Sequence, residues 1–290
     1  MEYLKLKAYA KVNLVLEVMG KLDDGYHEIK TIFQTVNLFD DITIQGSTDV
    51  RVTFINGGGI DTQNNLVTKA VKLIQTETGC NDGAHITVIK RIPVGAGLGG
   101  GSADAAATLN GLNLIWNLRL TKTQLIKMAS MIGADVPFFL EGGLAVGTGK
   151  GDSVRVLSNQ PQVFFVLLDI PHSLTEKTKF LYESLDSSLY TSGLKVNSFI
   201  MEHEKGIFSL DSIYNVFTQL AELYFPDFEY YRKTLSGLGC KHVSLSGTGP
   251  VLFALFQTKE AAEHVYDSLL QKGIKAHCVQ SVSSENVNNG

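Results

Sequence analysis

The chain has 290 residues, with 25 lysine and arginine residues against 29 aspartate and glutamate residues, and a formal net charge of −4 at pH 7. This length is typical of two domains or one large one, and 44% hydrophobic with 19% charged residues excludes disorder over most of the chain. A mildly acidic balance argues against general nucleic-acid binding.

The first half of the chain is predicted to mix strands and helices. Strands are predicted at residues 5–19, 29–36, 41–45, 50–55 and 85–90. Asp24 and Gly25 form a hairpin-turn pair after the first strand, and Gly57, Gly58 and Gly59 are predicted to form a loop. Apolar residues recur at helical spacing within residues 65–78, 103–116 and 121–131, and the glycine-rich residues 142–155 predict a hairpin and crossover.

A polar stretch at residues 157–161 is the predicted domain junction, so the expected domains are residues 1–158 and 159–290. The second domain has predicted strands at 163–169, 243–245, 251–256 and 275–281, and predicted helices at 175–186, 212–224 and 259–272. The polar tail at 283–290 is expected to fray. Because helices and strands do not alternate strictly, the α+β class is favoured over a doubly wound sheet.

The three cysteines are Cys80, Cys240 and Cys278, and none lies in a C-x-x-C pair. This argues against a disulfide framework or a structural zinc site and fits a reducing cytosol.

The first residues mix charged and apolar side chains, which disfavours a secretory signal, and the apolar runs are too short to span a bilayer. We expect a cytoplasmic monomer or homodimer without a membrane or nucleic-acid partner; earlier removal of a transit peptide stays open.

A glycine-rich loop lies between a predicted strand and a predicted helix. Its glycines let a ligand approach the backbone N–H groups, and the following helix adds the positive end of its dipole. A polyphosphate site is therefore favoured over a plain turn, and the Ser102 hydroxyl can contact a phosphate or Mg²⁺. The predicted nucleotide-binding residues of the loop are Pro93, Val94, Gly95, Ala96, Gly97, Leu98, Gly99, Gly100, Gly101, Ser102 and Ala103.

The loop differs from the two common phosphate loops. Residues 95–100 satisfy G-x-G-x-x-G, but residues 105–134 contain no acidic residue to hold a ribose, which disfavours a dinucleotide-binding fold. A Walker A loop ends in G-K-[ST], and no lysine is present here. A cation for the phosphates must therefore come from elsewhere in the chain or from a metal.

Asp135 lies in an apolar segment with Val136 and Pro137. A carboxylate in such a setting needs a partner, which favours a functional aspartate over a simple turn cap. Lys11 lies in an apolar strand and is the natural partner, unless it faces water from a sheet edge. A paired Lys11 would keep Asp135 ionised, so that Asp135 can accept a hydroxyl proton during phosphoryl transfer.

Three separated segments resemble the motifs of the galactokinase, homoserine kinase, mevalonate kinase and phosphomevalonate kinase (GHMP) superfamily: residues 10–14, 93–103 and 246–250. The Asp-Gly-Tyr-His-Glu segment at 24–28 and the Gly-Ala-Asp-Val-Pro segment at 133–137 are similar to one branch, the 4-diphosphocytidyl-2-C-methyl-D-erythritol kinases of the non-mevalonate route to isoprenoids. The resemblance spans residues 7–281. It implies a ribosomal-protein-S5-like amino-terminal domain and a ferredoxin-like carboxy-terminal domain, with the active site between them.

The resemblance implies an ATP-dependent and Mg²⁺-dependent kinase that acts on the 2-hydroxyl of a small cytidine-containing substrate. A sister kinase for homoserine or mevalonate and a non-catalytic nucleotide sensor are the alternatives. Lys11 and Asp135 would be catalytic, Tyr26 would stack on cytosine, and His27 would bond its edge. Asn65 and Leu66 would lie beside adenine. The implied substrate-binding residues are Asn13, Tyr26, His27, Thr178, Tyr182, Gly247 and Thr248.

Some implied assignments depend on alignment or leave a role open. Thr175 is a rival to Thr178 for the threonine beside the cytidine. Asn215 is followed by Val216, where relatives commonly have an acidic residue, so a role for that segment in the site is doubtful. No side chain is assigned as a dedicated metal ligand, and Ser102 with the ATP phosphates would carry much of the Mg²⁺ coordination.

Overall fold

The computed structural model of the chain describes residues 3–171, 174, 176–208 and 210–288. Within these ranges the strands form a seven-stranded and a four-stranded sheet. The strands are β1 (Tyr3–Lys21), β2 (His27–Ser47), β3 (Val50–Ile55), β4 (Gly83–Ile89), β5 (Leu144–Thr148), β6 (Ser153–Val156), β7 (Phe164–Leu168), β8 (Tyr214–Asn215), β9 (Val243–Leu245), β10 (Leu252–Phe256) and β11 (Ala276–Gln280). The helices are α1 (Leu66–Thr78), α2 (Gly100–Ile115), α3 (Lys122–Ile132), α4 (Val136–Glu141), α5 (Lys177–Glu183), α6 (Leu194–Glu204), α7 (Thr218–Tyr224), α8 (Phe228–Gly237), α9 (Lys259–Gln271) and α10 (Ser284–Asn288).

A long antiparallel hairpin of β1 and β2 forms the centre of the first sheet, whose main path is β3-β4-β2-β1-β8. The two strands predicted at 29–36 and 41–45 are one strand in the structure, because a bulge between Tyr9 and Ala10 bends the pair without ending it. The early part of β2 pairs with β5 and its later part pairs with β4. One strand thus joins both ends of the first sheet.

Helices α1, α2 and α3 cover this sheet and bury a core of small and branched residues, including Ile44, Ala70 and Leu109. Helix α2 begins at Gly100, three residues before the predicted start, so the last glycines of the phosphate loop lie in its first turn. Helix α4 was not predicted, because Pro137 was taken as a turn signal. Proline is tolerated at the start of a helix, where no N–H bond is lost.

The second sheet is antiparallel, with the order β11-β7-β10-β9 and with α8 and α9 packed beside it. This order is that of a split β-α-β-β-α-β unit, so the predicted ferredoxin-like half and the α+β class are confirmed. Helices α6 and α8 were not predicted. The predicted helix at 212–224 was wrong in its first half, because β8 pairs there with β1 and only α7 is helical.

The two halves share elements. Strand β8 joins the first sheet, and Val36 bridges to Ser281.

The expected fraying of the tail was wrong for residues 284–288, which form α10; here Val287 packs where a side chain on Gly142 would lie. Residues 157–163 are irregular, so a domain boundary near 158 stays a prediction. The predicted helix start at Thr175 and the end of the tail, residues 289 and 290, lie outside the described residues.

No helix in the described part of the chain combines the length and apolar character that crossing a membrane requires.

The start of α3 allows a stability test. Thr121 accepts a hydrogen bond from the Gln124 backbone N–H at 3.3 Å, and the Gln124 side chain accepts one from the Thr121 N–H at 2.8 Å. Because Thr121→Ala removes this reciprocal cap, we expect it to lower the free energy of unfolding by about 1 kcal/mol. Chemical denaturation measures the loss. Thr121→Ser is the matched control and keeps the cap; equal midpoints for all three proteins would contradict the assignment.

Candidate active site

A single cleft of about 970 Å³ brings together residues from both halves of the chain. The phosphate loop lines one part of it. The β1 segment around Lys11, the turn after β1, helix α5 and the 246–250 loop line the rest. This arrangement places the phosphate loop, the β1 segment around Lys11 and helix α5 around one continuous space.

The phosphate loop adopts backbone conformations that require glycine. Gly95, Gly97 and Gly99 have φ values of 73°, 79° and 73°, in the left-handed region. Gly99 caps α2, and its carbonyl accepts the Ala103 N–H at 2.9 Å. The N-terminal end of this 16-residue helix therefore faces the cleft with its positive dipole end, which favours an anion there.

The 246–250 loop packs directly against the phosphate loop. A Cβ on Gly97 would overlap the Ser246 carbonyl oxygen and would lie 3.0 Å from the Gly249 carbonyl oxygen. The Ser246 hydroxyl donates to the Gly97 carbonyl at 2.9 Å, and the Val251 N–H donates to the Ala96 carbonyl at 3.3 Å. The two halves of the molecule therefore meet, backbone to backbone, at the phosphate site.

Lys11 and Asp135 form an ion pair at the cleft, with 3.4 Å between Nζ and Oδ2. The Lys11 side chain is buried, so the alternative of a water-facing lysine is excluded. The Asp135 side chain is 34% exposed and makes no capping bond to α4. The apolar setting predicted for Asp135 thus applies to Val136 and Pro137, which are buried, while the carboxylate itself faces the cleft.

A chain of hydrogen bonds orients the groups beside Lys11. Lys11 Nζ donates to Asn13 Oδ1 at 2.6 Å, and Asn13 Nδ2 donates to Thr31 Oγ1 at 2.9 Å. Thr31 in turn donates to the Val15 carbonyl at 2.6 Å. Each donor in this series of hydrogen bonds has one acceptor. The pairing of β1 with β2 therefore fixes the orientation of the Asn13 amide and the position of the Lys11 ammonium.

Aromatic side chains line the other end of the cleft. The His27 ring lies 5.2 Å from the Tyr182 ring and 6.0 Å from the Tyr190 ring, and burial lowers its pKa, with the charge of Lys21 adding to the effect. A neutral imidazole offers one donor and one acceptor. Tyr26 is 59% exposed, and Lys150 lies 4.2 Å over its ring. The tyrosine ring faces and the His27 ring edge at this end of the cleft suit a planar nucleobase.

Two family models match the chain: GHMP kinases N terminal domain over residues 65–143 and GHMP kinases C terminal over residues 200–275. The chain is 36% identical over 283 residues to 4-diphosphocytidyl-2-C-methyl-D-erythritol kinase from Dehalococcoides mccartyi, covering 96% of this chain and 98% of the relative. The same enzyme from Lachnoclostridium phytofermentans is 37% identical over 92% of both chains. The chain belongs to the 4-diphosphocytidyl-2-C-methyl-D-erythritol kinase family.

Solved structures agree with membership of this kinase family. A crystal structure of 4-(cytidine 5'-diphospho)-2C-methyl-D-erythritol kinase superposes with a TM-score of 0.80 at 29% identity, over 96% of this chain and 99% of the other. The homoserine kinase of Cytophaga hutchinsonii gives 0.72 at 16% identity, over 98% and 95% of the two chains. The second match shows the shared GHMP fold alone.

Most of the residues that the sequence predicts for this family's site line the cleft. They are Lys11, Asn13, Tyr26, His27, Asn65, Leu66, Pro93, Val94, Gly95, Ala96, Gly97, Gly99, Gly100, Gly101, Ser102, Asp135, Thr178, Tyr182, Gly247 and Thr248. Leu98 and Ala103 do not line it, because both side chains are buried and their backbone groups bond to Lys11 and Gly99. Asn65 lines the cleft, but its amide caps α1 and bonds the Thr68 N–H, Thr68 Oγ1 and the Asp61 carbonyl.

Sequence reasoning missed a buried charge cluster under the phosphate loop. Lys90 Nζ bonds Asp40 Oδ2 and Asp104 Oδ2, and Asp40 Oδ1 accepts the N–H groups of Arg91 and Ile92. All three charged side chains are buried, and burial raises the pKa of Asp104 to about 7. The cluster fastens the strand end before the loop to the helix after it. An aspartate in the first turn after the glycines was its signal in the sequence.

Asn215, whose segment was given a doubtful role in the site, contacts the 246–250 loop. Its side-chain amide donates to the Leu245 and Gly247 carbonyls at 2.8 Å each, and its Oδ1 accepts the Phe217 N–H. The doubt raised by Val216 therefore does not extend to Asn215, which holds the 246–250 loop from behind.

The contact between the two loops predicts the effect of Gly97→Ala. The variant combines left-handed strain of about 1 kcal/mol with overlap against the Ser246 carbonyl, so we expect affinity for a non-hydrolysable ATP analogue to fall at least tenfold by calorimetry. Gly273→Ala is the matched control, because Gly273 has a φ of 72° with open space around it. Equal nucleotide affinity in the two variants would contradict the close approach.

Proposed function

We propose that this protein transfers the γ-phosphate of ATP to the 2-hydroxyl of 4-diphosphocytidyl-2-C-methyl-D-erythritol, a step of the non-mevalonate route to isoprenoid precursors. The observation that carries the proposal is the Lys11–Asp135 pair, which lies in one cleft with the phosphate loop and with the His27 and Tyr182 rings. Family membership supports the same reaction.

ATP binds with its phosphates on the glycine loop. The backbone N–H groups of the loop supply hydrogen-bond donors, and the N-terminus of α2 supplies a positive dipole end. Asn65 and Leu66 line the cleft, and in this proposal the adenine lies beside them. The second substrate places its hydroxyl between this loop and the Lys11–Asp135 pair.

Asp135 accepts the proton of the 2-hydroxyl as the oxygen forms its bond to the γ-phosphorus. The bond from that phosphorus to the bridging oxygen breaks, and ADP leaves with the electron pair. The Lys11 ammonium stabilises the Asp135 carboxylate and the negative charge on the moving phosphoryl group. Positioning and charge stabilisation supply most of the rate in such transfers.

The cytidine end binds at the aromatic part of the cleft. A neutral His27 donates to one atom of the cytosine edge and accepts from another, and the Tyr26 face stacks on the ring. Tyr182 on α5 lies beside His27, and Thr178 on the same helix lines the cleft. Tyr182 stays protonated, because burial and the charge of Asp135 raise the pKa of its phenol.

Mg²⁺ accompanies ATP in this proposal. Among the described residues, no group of three His, Cys, Asp or Glu side chains is placed to hold a metal. Asp104 has one carboxylate oxygen without a hydrogen-bond partner, and the Ser102 hydroxyl lines the cleft. This donor set fits an ion that is held mainly by phosphate oxygens and water, with Ser102 as a protein ligand. When bound, the ion neutralises phosphate charge.

A coupled ADP-release assay tests the reaction. MgATP is supplied with the cytidine substrate, and in parallel with homoserine or mevalonate. Turnover with the cytidine substrate alone is expected; turnover with either other alcohol instead would defeat the proposed acceptor. A cytoplasmic location and a monomeric or homodimeric state remain predictions from the sequence.

Asp135→Asn keeps the shape of the side chain but removes the base. We expect turnover to fall 10²- to 10⁴-fold, with affinity for the ATP analogue within about threefold of the original, because phosphate contacts lie on the glycine loop. Steady-state kinetics and calorimetry measure both quantities. Asp267→Asn, an exposed change on α9, is the control. Loss of nucleotide binding in Asp135→Asn would indicate a structural role.

Tyr26→Ala tests the cytosine site. Loss of one base–aromatic stack costs about 1–3 kcal/mol, so we expect KM for the cytidine substrate to rise roughly 5- to 150-fold while KM for ATP stays constant. Tyr26→Phe keeps the ring and is expected to behave like the original protein. An unchanged KM in Tyr26→Ala would move the cytosine away from this residue.

A further inference from the structure

Lys177 is the first residue of α5, and its side chain is buried with 7% exposure. Its ammonium donates to the Thr248 carbonyl at 3.2 Å, to Thr248 Oγ1 at 3.0 Å and to the Gly249 carbonyl. An ammonium has three protons and no acceptor, so all of its donors go to the 246–250 loop. Among the described residues, the three acceptors of the Lys177 ammonium are neutral oxygens.

The bond to Thr248 Oγ1 decides what that hydroxyl can do. Because a charged lysine only donates, Thr248 Oγ1 must accept, and the Thr248 hydroxyl proton is directed elsewhere. Thr178 Oγ1 lies 3.1 Å away, and Thr248 also lines the cleft. The hydroxyl is thus a donor, polarised by a cation, to Thr178 or to an anionic oxygen in the cleft.

The 246–250 loop connects this lysine to the phosphate site. Its other face bonds the phosphate loop through Ser246 and Val251, and Asn215 holds it from behind. Lys177 therefore fastens α5, which also presents Thr178 and Tyr182 to the cleft, to the loop that meets the phosphate loop. The Lys177 side chain thus connects the part of the cleft lined by α5 with the loop that contacts the phosphate loop.

We propose that Lys177 is a positioning residue for the phosphoryl transfer: it holds the 246–250 loop so that Thr248 donates its hydroxyl proton to a phosphate oxygen of the bound substrates, and its buried charge reinforces that of Lys11. This inference rests on the proposed function. Lys177 supplies part of the positive charge that the phosphate loop lacks, because no Walker-type lysine follows the glycines of that loop.

The charge on Lys177 depends on pH. Burial and, to a lesser extent, the charge of Lys11 on β1 lower the pKa of Lys177 to about 8, against the opposing effect of Asp169 after β7. Asp135 before α4 and Tyr182 on α5 line the same cleft, and the 246–250 and phosphate loops contain no titratable side chain. The ammonium is therefore present below about pH 8 and lost above it, so kcat/KM should fall on that alkaline side.

Two variants separate charge from packing. Lys177→Met keeps length without donors, and Lys177→Arg keeps the charge. We expect Lys177→Met to lower kcat at least tenfold and to remove the alkaline fall near pH 8, and Lys177→Arg to retain more activity with the fall moved to higher pH. Lys205→Met, an exposed change at the end of α6, is the control for activity and melting temperature.

A double-mutant cycle with Thr248→Val tests the route through Thr248. If Lys177 acts through this hydroxyl, the double variant loses little more activity than the more damaged single variant. Fully additive losses, or a Lys177→Met protein with the original kcat and pH profile, would overturn the inference. An original protein that folds but does not phosphorylate the cytidine substrate would instead defeat the proposed function, which the same assay shows first.

Discussion

A buried ammonium at Lys11 is the constraint around which the cleft is organised. A charge removed from water must be matched by polar partners, and here Asn13 and Asp135 supply them from a neighbouring strand position and from the start of a short helix. The strand pairing that fixes Asn13, the proline-containing turn that presents Asp135 and the loop backbone above Lys11 must therefore all be in place together. The Lys11 N–H itself bonds the Leu98 carbonyl of the phosphate loop. The positions of Asp135 and of the phosphate loop are therefore both set by contacts with Lys11.

The sequence predicted the parts of this site that depend on local chemistry. Three sequence signals can be interpreted without knowledge of the fold. They are the glycines of the phosphate loop, an isolated aspartate in an apolar segment and a lysine in an apolar strand. The α+β class and the ferredoxin-like half were also predictable, because most strands and helices have clear periodicity. The departures follow from tertiary structure: β8 is two residues long and exists only because β1 offers a partner.

The supporting residues were harder to predict. Lys90, Asp40 and Asp104 lie up to 64 positions apart in sequence and become a cluster only when strand β2, the residue after β4 and the start of α2 converge. Asn215 was judged by the residue after it, whereas its side chain donates to the Leu245 and Gly247 carbonyls, 30 and 32 positions later in the sequence. Both cases share a cause. A hydrogen-bond network between distant segments has no fixed spacing, so a motif search detects the groups that touch ligands before those that hold them.

The pairing of β8 with β1 has a consequence for how the chain can be divided. Val15 and Leu16 occupy the middle of the first sheet only because Tyr214 and Asn215 complete its edge. An amino-terminal fragment would expose that strand's unpaired N–H and C=O groups beside apolar side chains, which is the kind of edge that recruits other strands and aggregates. Lys11 lies on the same strand, a few residues before Val15. The β1 edge of this sheet therefore finds its partner strand only after the polypeptide has been made as far as Asn215.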